Sequence, residues 1–200
     1  MPDIARPCVY FEQPGKDNTN KVVDIVTKRL AEGGITTVAI ASTTGYTALK
    51  FSEASEKWDD VTLISVAEGA RIREWDVEYP TLKPEHRQEL EQRGVVVAAH
   101  VPYLFHSSVL EFSRWQAPVP EDIIRDTLYA FGQGLKVAVE VVLIAVASGF
   151  LEPFQDVIAV GGTHRGADTA IVVRATYPNH VLSQDPDKRL RIHEILCMPQ

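Results

Sequence analysis

Three stretches of this chain, residues 36–42, 61–66 and 95–99, are apolar and β-branched through their centres, and each is separated from the next by a helix-like segment. A strand that is apolar on both faces must be covered on both faces. Runs of this kind separated by helices predict parallel pairing, with helices packed on either side of the sheet. Two further strand-like runs, residues 156–162 and 169–176, are joined by only six residues, 163–168. Six residues cannot carry a parallel crossover, so this pair is expected to be antiparallel. The chain therefore reads as an α/β protein with a mixed, mostly parallel sheet.

The helices between these strands carry recognisable signals. Asp17 or Asn18 can cap a helix whose Val22, Val23, Val26 and Leu30 share one face, and Gly33 and Gly34 end it. A second helix places Ala48, Phe51, Ser55 and Trp58 on one side. Pro84 opens a charged helix that stops at Gly94, and Pro120, Glu121 and Asp122 open another with acids in its first turn. Residues 135–149 are almost wholly apolar, and their length favours a buried helix over a strand. Residues 8–12 are a short strand candidate. Residues 67–83 form a long connection carrying Trp75 and Tyr79. From Tyr177 onward the chain reads as a polar surface tail with a short element near residues 192–196.

Two hundred residues with 45% hydrophobic and 24% charged side chains suffice for one domain spanning 1–200, and no internal boundary is visible. The net charge of -7 and the lack of a Lys/Arg run argue against a nucleic-acid partner. The longest apolar run, residues 141–147, is too short to cross a bilayer, so no membrane partner is expected. The opening residues lack a signal-peptide pattern. Cys8 and Cys197 form neither a disulfide framework nor a metal motif, and no metal site is expected. These features lead to the expectation of a cytoplasmic protein.

Three motifs can carry chemistry. Ser42, Thr43, Thr44, Gly45 and Thr47 join a buried strand to a helix N-terminus, where hydroxyls and free N–H groups suit a phosphate. The same residues also read as a plain cap, with Thr43 or Thr44 serving the helix alone. Gly161, Gly162, Thr163, Arg165, Gly166 and Asp168 lie in a glycine-rich link. There the backbone can approach a ligand and Arg165 can fork onto phosphate oxygens, or the link is simply a hairpin turn. His164 is the histidine of interest in that link. Lys136 and Glu140, four residues apart in an apolar helix, are either a buried ion pair or an acid/base pair beside a ligand.

The order of these pieces resembles the pyruvate kinase C-terminal domain over roughly residues 18–176. Thr44-Gly45-Tyr46-Thr47 falls on that family's Ser-Gly-x-Ser/Thr phosphate loop, and residues 156–174 resemble its last two strands. The stretches 131–140 and 161–170 are similar to signatures of a group of small bacterial and archaeal proteins that consist of this domain alone. The resemblance implies a three-layer α/β/α fold with a five-stranded sheet of order 3-2-1-4-5 and strand 5 antiparallel. It also implies a phosphorylated ligand at loops 42–47 and 161–168, where the strand order reverses. That group holds flavin mononucleotide, which makes FMN the implied cofactor. Pyruvate kinase's catalytic barrel is absent, so phosphoryl transfer from phosphoenolpyruvate is not expected. The group's usual Thr-His start to the loop after residues 95–99 is here His100-Val101-Pro102-Tyr103. Three functions compete. One is a binding module for a phosphorylated small molecule. Another is an enzyme on a phosphorylated metabolite with Lys136 and Glu140 as acid and base. The third is a structural subunit, for which the fold would serve homo-oligomer assembly.

Overall fold

The computed structural model describes residues 3–67, 80–106, 114 and 119–200. Its elements are β1 (Val9–Phe11), α1 (Thr19–Ala31), β2 (Thr37–Ala41), α2 (Tyr46–Ser55), β3 (Thr62–Val66), α3 (Pro84–Gln92), β4 (Val96–Ala98), α4 (Pro120–Tyr129), α5 (Gln133–Ala147), β5 (Asp156–Gly161), β6 (Thr169–Arg174) and β7 (Arg191–Pro199). Trp75 and Tyr79 lie outside the described residues.

The strands form one sheet in the order β1-β7-β6-β5-β2-β3-β4. β5, β2, β3 and β4 are mutually parallel, and β5 pairs antiparallel with β6, as the six-residue link requires. The sheet has seven strands rather than the five expected. The correction comes from both chain ends. β7 pairs antiparallel with β6, and β1 pairs parallel with β7, with Val9 opposite Cys197. The segment read as a surface tail thus ends in a nine-residue strand that buries Leu196 and Cys197. Its alternation is broken by register shifts against β6 at Ala170/Ile171 and Val172/Val173, which hid the pattern.

Two cores cover the two faces. On one, Val22, Val26, Phe51 and Leu90 of α1, α2 and α3 pack on Val38, Ile40, Ile158 and Val172. On the other, Val139, Val142, Leu143 and Ile144 of α5 and Leu128 of α4 pack on Ala39, Ile64, Ala159 and Ile171. The period-2 alternation of β2 decides which residue serves which layer. Small residues let α5 sit close to the sheet. A Cβ on Gly161 would lie 2.1 Å from the Gly134 carbonyl oxygen, and one on Gly134 would lie 2.1 Å from Thr169 Oγ1. This close approach explains why α5 is apolar on all sides: it is buried between the sheet, α4 and the last 3-10 turn.

α1 is not capped as expected. Asn18 occupies the cap position, but its side-chain amide donates to the Gln13 carbonyl at 2.8 Å instead of accepting from the helix.

Because β1, β2, β3, β4 and β5 run in the same direction, their carboxyl ends share one edge of the sheet. β2 and β5 are neighbours there, and the chain leaves them toward opposite sides. That is the switch point at which open α/β sheets leave a crevice.

Candidate functional site

The loop after β2 is built by Ser42. Its N–H donates to the Val66 carbonyl at 2.9 Å, tying the loop to β3, and its Oγ accepts from the Ala48 N–H at 3.0 Å. Ser42 therefore caps α2 from three residues before the formal cap position, which is Gly45 at φ 90°. Neither Thr43 nor Thr44 performs that role, so the plain-cap reading of those two residues does not hold. Their carbonyls turn toward α3: His86 Nδ1 lies 3.0 Å from the Thr44 oxygen and Thr81 Oγ1 lies 3.5 Å from that of Thr43. Among the described residues, the backbone N–H groups of Thr43, Thr44, Tyr46 and Thr47 donate to no protein acceptor. Gly45 faces away from this set. A Cβ there would lie 3.1 Å from Leu82 and 3.2 Å from His86, so its glycine serves the turn and the approach of α3.

The glycine-rich link 162–168 is held by Asp168, which is 0% exposed. Its Oδ2 accepts from the N–H groups of Gly15 at 2.8 Å and Thr163 at 3.0 Å, and its Oδ1 accepts from Thr169 Oγ1 at 2.8 Å. The Ala167 N–H donates to Thr19 Oγ1 at 3.0 Å. The turn before α1 and the glycine link therefore form one tied unit. Within it His164, at φ 60°, and Gly166, at φ 71°, bend the chain so that Arg165 projects outward. Asp168, a candidate ligand contact by sequence, holds this unit together through those three bonds.

Lys136 and Glu140 project from α5 beneath these loops. Lys136 Nζ lies 2.5 Å from Glu140 Oε2 and 2.8 Å from His106 Nε2, and Glu140 Oε1 accepts from the Phe105 N–H at 3.0 Å. Arg125 holds the same residue through its next peptide, donating to the Phe105 carbonyl at 3.2 Å. The ammonium also lies 5.6 Å from the Phe105 ring centre and 5.8 Å from that of Tyr129. Burial pushes the Tyr129 hydroxyl above its ordinary value, with the charge of Arg125 pulling the other way.

All three motifs meet in one cleft of about 550 Å³. Its walls include Ser42, Thr43, Thr44, Thr47, Gly162, Arg165, Gly166, Lys136 and Glu140. Its floor is apolar, from Ala41, Val66, Val137, Val141 and Ile144. Gly45, Gly161, Thr163 and Asp168 are not in the lining; they shape the backbone around it. Lys16, Tyr46, Tyr103, His106, Tyr129, Gln133 and His164 complete the walls. Of these, sequence reasoning singled out only His164. Lys16 had a readable signal: it follows Pro14-Gly15 at the carboxyl end of β1. That signal has meaning only once β1 is known to run parallel to β2 and β5.

The charge balance of the cleft is uneven. Lys136 is compensated by Glu140, whereas Lys16 and Arg165 have no carboxylate within ion-pair distance among the described residues. The described residues contain no group of three or more His, Cys, Asp or Glu side chains arranged to hold a metal ion. No helix among them is long and apolar enough to cross a membrane. No family model matches the chain.

Proposed function

We propose that this protein binds a phosphorylated small molecule in the cleft at the carboxyl ends of β2 and β5. One observation carries the reading. Among the described residues, four backbone N–H groups in and beside the first turn of α2 lack protein acceptors, and two cations without carboxylate partners, Lys16 and Arg165, line the same cavity. Free N–H groups at a helix start, joined by a guanidinium, are the donor set that a phosphate monoester requires. The net charge of -7 does not oppose this, because the field at the site is set by these local groups.

A single phosphate is favoured over a bisphosphate. A second phosphate would need donors of its own: Lys16 and Arg165 serve the first, and Lys136 is paired with Glu140 at 2.5 Å. FMN is the named ligand of this reading. The resemblance to stand-alone pyruvate kinase C-terminal domain-like proteins supplies it, and an apolar floor beside the anion donors suits a monophosphate attached to a flat body. The reading takes the protein as cytoplasmic.

Native mass spectrometry of freshly purified protein tests the proposal, followed by titration with FMN, riboflavin and a sugar bisphosphate. A bound phosphorylated mass and micromolar or tighter FMN binding are expected. Riboflavin binding as tightly as FMN removes the phosphate argument. No binding of any phosphorylated compound leaves assembly as the better reading, to be followed by measuring the homo-oligomer in solution.

A second reading rests on the contact of Lys136 with both Glu140 and His106 at the cleft wall. Three titratable groups in one hydrogen-bonded line can pass a proton, which would make the protein an enzyme on the bound phosphorylated metabolite. Turnover that is lost in Glu140→Gln while ligand affinity is retained would support it.

A further inference from the structure

Lys16 Nζ rests over the ring of Tyr46, 4.3 Å from its centre, and both residues line the cleft. We propose that these two residues determine ligand specificity. Lys16 serves as a ligand-binding cation that moves from the ring to the anion, and the uncovered Tyr46 ring stacks on a planar heteroaromatic group of the same ligand. This rests on the reading of the cleft as a phosphate site and assigns the residues that would read the flat body the phosphate carries.

Tyr46 is the first residue of α2, so its ring hangs beside its own unpaired N–H. A phosphate seated on the N–H set must therefore lie next to the ring. The ring is half-buried and makes no aromatic pair, and its hydroxyl makes no hydrogen bond among the described residues. The Lys16 ammonium covers the face of its ring.

Lys16 is held at its backbone and loose at its tip. Its carbonyl accepts from Thr19 Oγ1 at 2.6 Å, and its Cα packs where a Cβ on Gly166 would lie only 2.6 Å away. The Gly15 N–H beside it is anchored to Asp168. Among the described residues, the ammonium forms no ion pair or hydrogen bond and rests on the ring. A cation over an aromatic face at an exposed site is held more weakly than a cation in a charge-assisted hydrogen bond to an anion. An arriving phosphate therefore takes Lys16, and the ring face comes free.

The cavity supports the second half of the proposal. A volume of about 550 Å³ far exceeds what a phosphate occupies, and the same lining includes the rings of Tyr46 and Tyr129 and the apolar Ala41, Val66, Val137, Val141 and Ile144. A flat heteroaromatic body suits such a mixed aromatic and apolar lining.

The test compares the whole protein with Tyr46→Phe, Tyr46→Ala and Lys16→Gln by calorimetry. The probes are inorganic phosphate, ribose 5-phosphate, pyridoxine 5'-phosphate and FMN. The parent is expected to bind the two aromatic phosphates at least about tenfold more tightly than ribose 5-phosphate, a factor within the range of one stacked ring. Tyr46→Phe should retain that preference, and Tyr46→Ala should lose it, with affinity falling for the two aromatic phosphates and not for ribose 5-phosphate. Lys16→Gln should weaken every phosphorylated probe by a similar factor. Equal affinity of the parent for aromatic and sugar phosphates, or a preference that survives Tyr46→Ala, overturns the inference while leaving the phosphate site standing. Failure of the parent to bind any phosphorylated probe overturns both. A circular-dichroism melt of each variant separates loss of a contact from loss of the fold.

Discussion

Lys136 Nζ and Glu140 Oε2 lie 2.5 Å apart on α5, with side chains only 3% and 8% exposed. The pair sits at the point where an otherwise largely apolar helix meets the cleft, and it is completed from outside the helix by His106 and the Phe105 N–H. Removing one partner leaves a charge in a low-dielectric wall with nothing to balance it. Lys136→Met or Glu140→Leu alone is expected to cost about 3–5 kcal/mol, and the double variant far less, because an apolar pair fills the same space. Urea melts of the two single variants and the double variant measure this. A double-variant loss equal to the sum of the two single losses would show that the pair is not coupled.

Asp168 should behave as a structural residue rather than a ligand contact. Its carboxylate holds two backbone N–H groups from separate loops and one hydroxyl. Asp168→Ala leaves those donors without a partner, and a loss of about 2–4 kcal/mol is expected. Ligand affinity should fall as well, since the loops that carry Lys16 and Arg165 are tied through this side chain. A variant with full stability and reduced affinity would return Asp168 to the ligand shell.

Arg165 gives the opposite pattern. It is exposed, and it has no carboxylate partner among the described residues. Arg165→Ala should leave the melting midpoint almost unchanged and cost about 1.5–3 kcal/mol of phosphate-ligand binding, the range for a hydrogen bond to a charged group. Titration of FMN into parent and variant gives the difference directly. An unchanged affinity would remove Arg165 from the site.

Cys197 carries a pH signature. It lies wholly buried in β7, and burial pushes its thiol up from 9.0 to about 12, opposed by the backbone hydrogen bond from Ala170. The folded state favours the neutral thiol. Its contribution is fully present below the unfolded value and is lost as pH rises from about 9 to about 12. At most about 4 kcal/mol is at stake, from the difference between those two values. Denaturant melts of parent and Cys197→Ala between pH 8 and 11 should converge as pH rises. Parallel curves would show that the thiol does not titrate differently on folding.

The strand directions through β2, β3, β4, β5 and β6 were legible because each has a local cause, whereas their order came only from the resemblance. Apolar runs separated by helices demand parallel neighbours, and a six-residue link demands an antiparallel one. β7 was not legible as a long strand. Bulges at Ala170/Ile171 and Val172/Val173 break its match to β6, so its residues do not alternate cleanly and read as a tail. β1 was visible as a short run, but nothing local says which strand a three-residue segment joins.

The sequence by itself determined the layer architecture and the residue types available at the switch point: hydroxyls and a glycine after β2, glycines and an arginine after β5, one lysine and one glutamate in α5. These follow from periodicity, turn chemistry and spacing, all of which act over a few residues. The tertiary structure alone decided which of them face a common space. It turned Asp168 inward as a bolt, set Gly45 and Gly161 against neighbouring elements, and brought Lys16 from the far end of the sheet onto the ring of Tyr46. The physical reason is that a side chain's role depends on what lies across from it. For Lys16 that neighbour is 30 positions away in the chain and arrives only when β1 closes on β7.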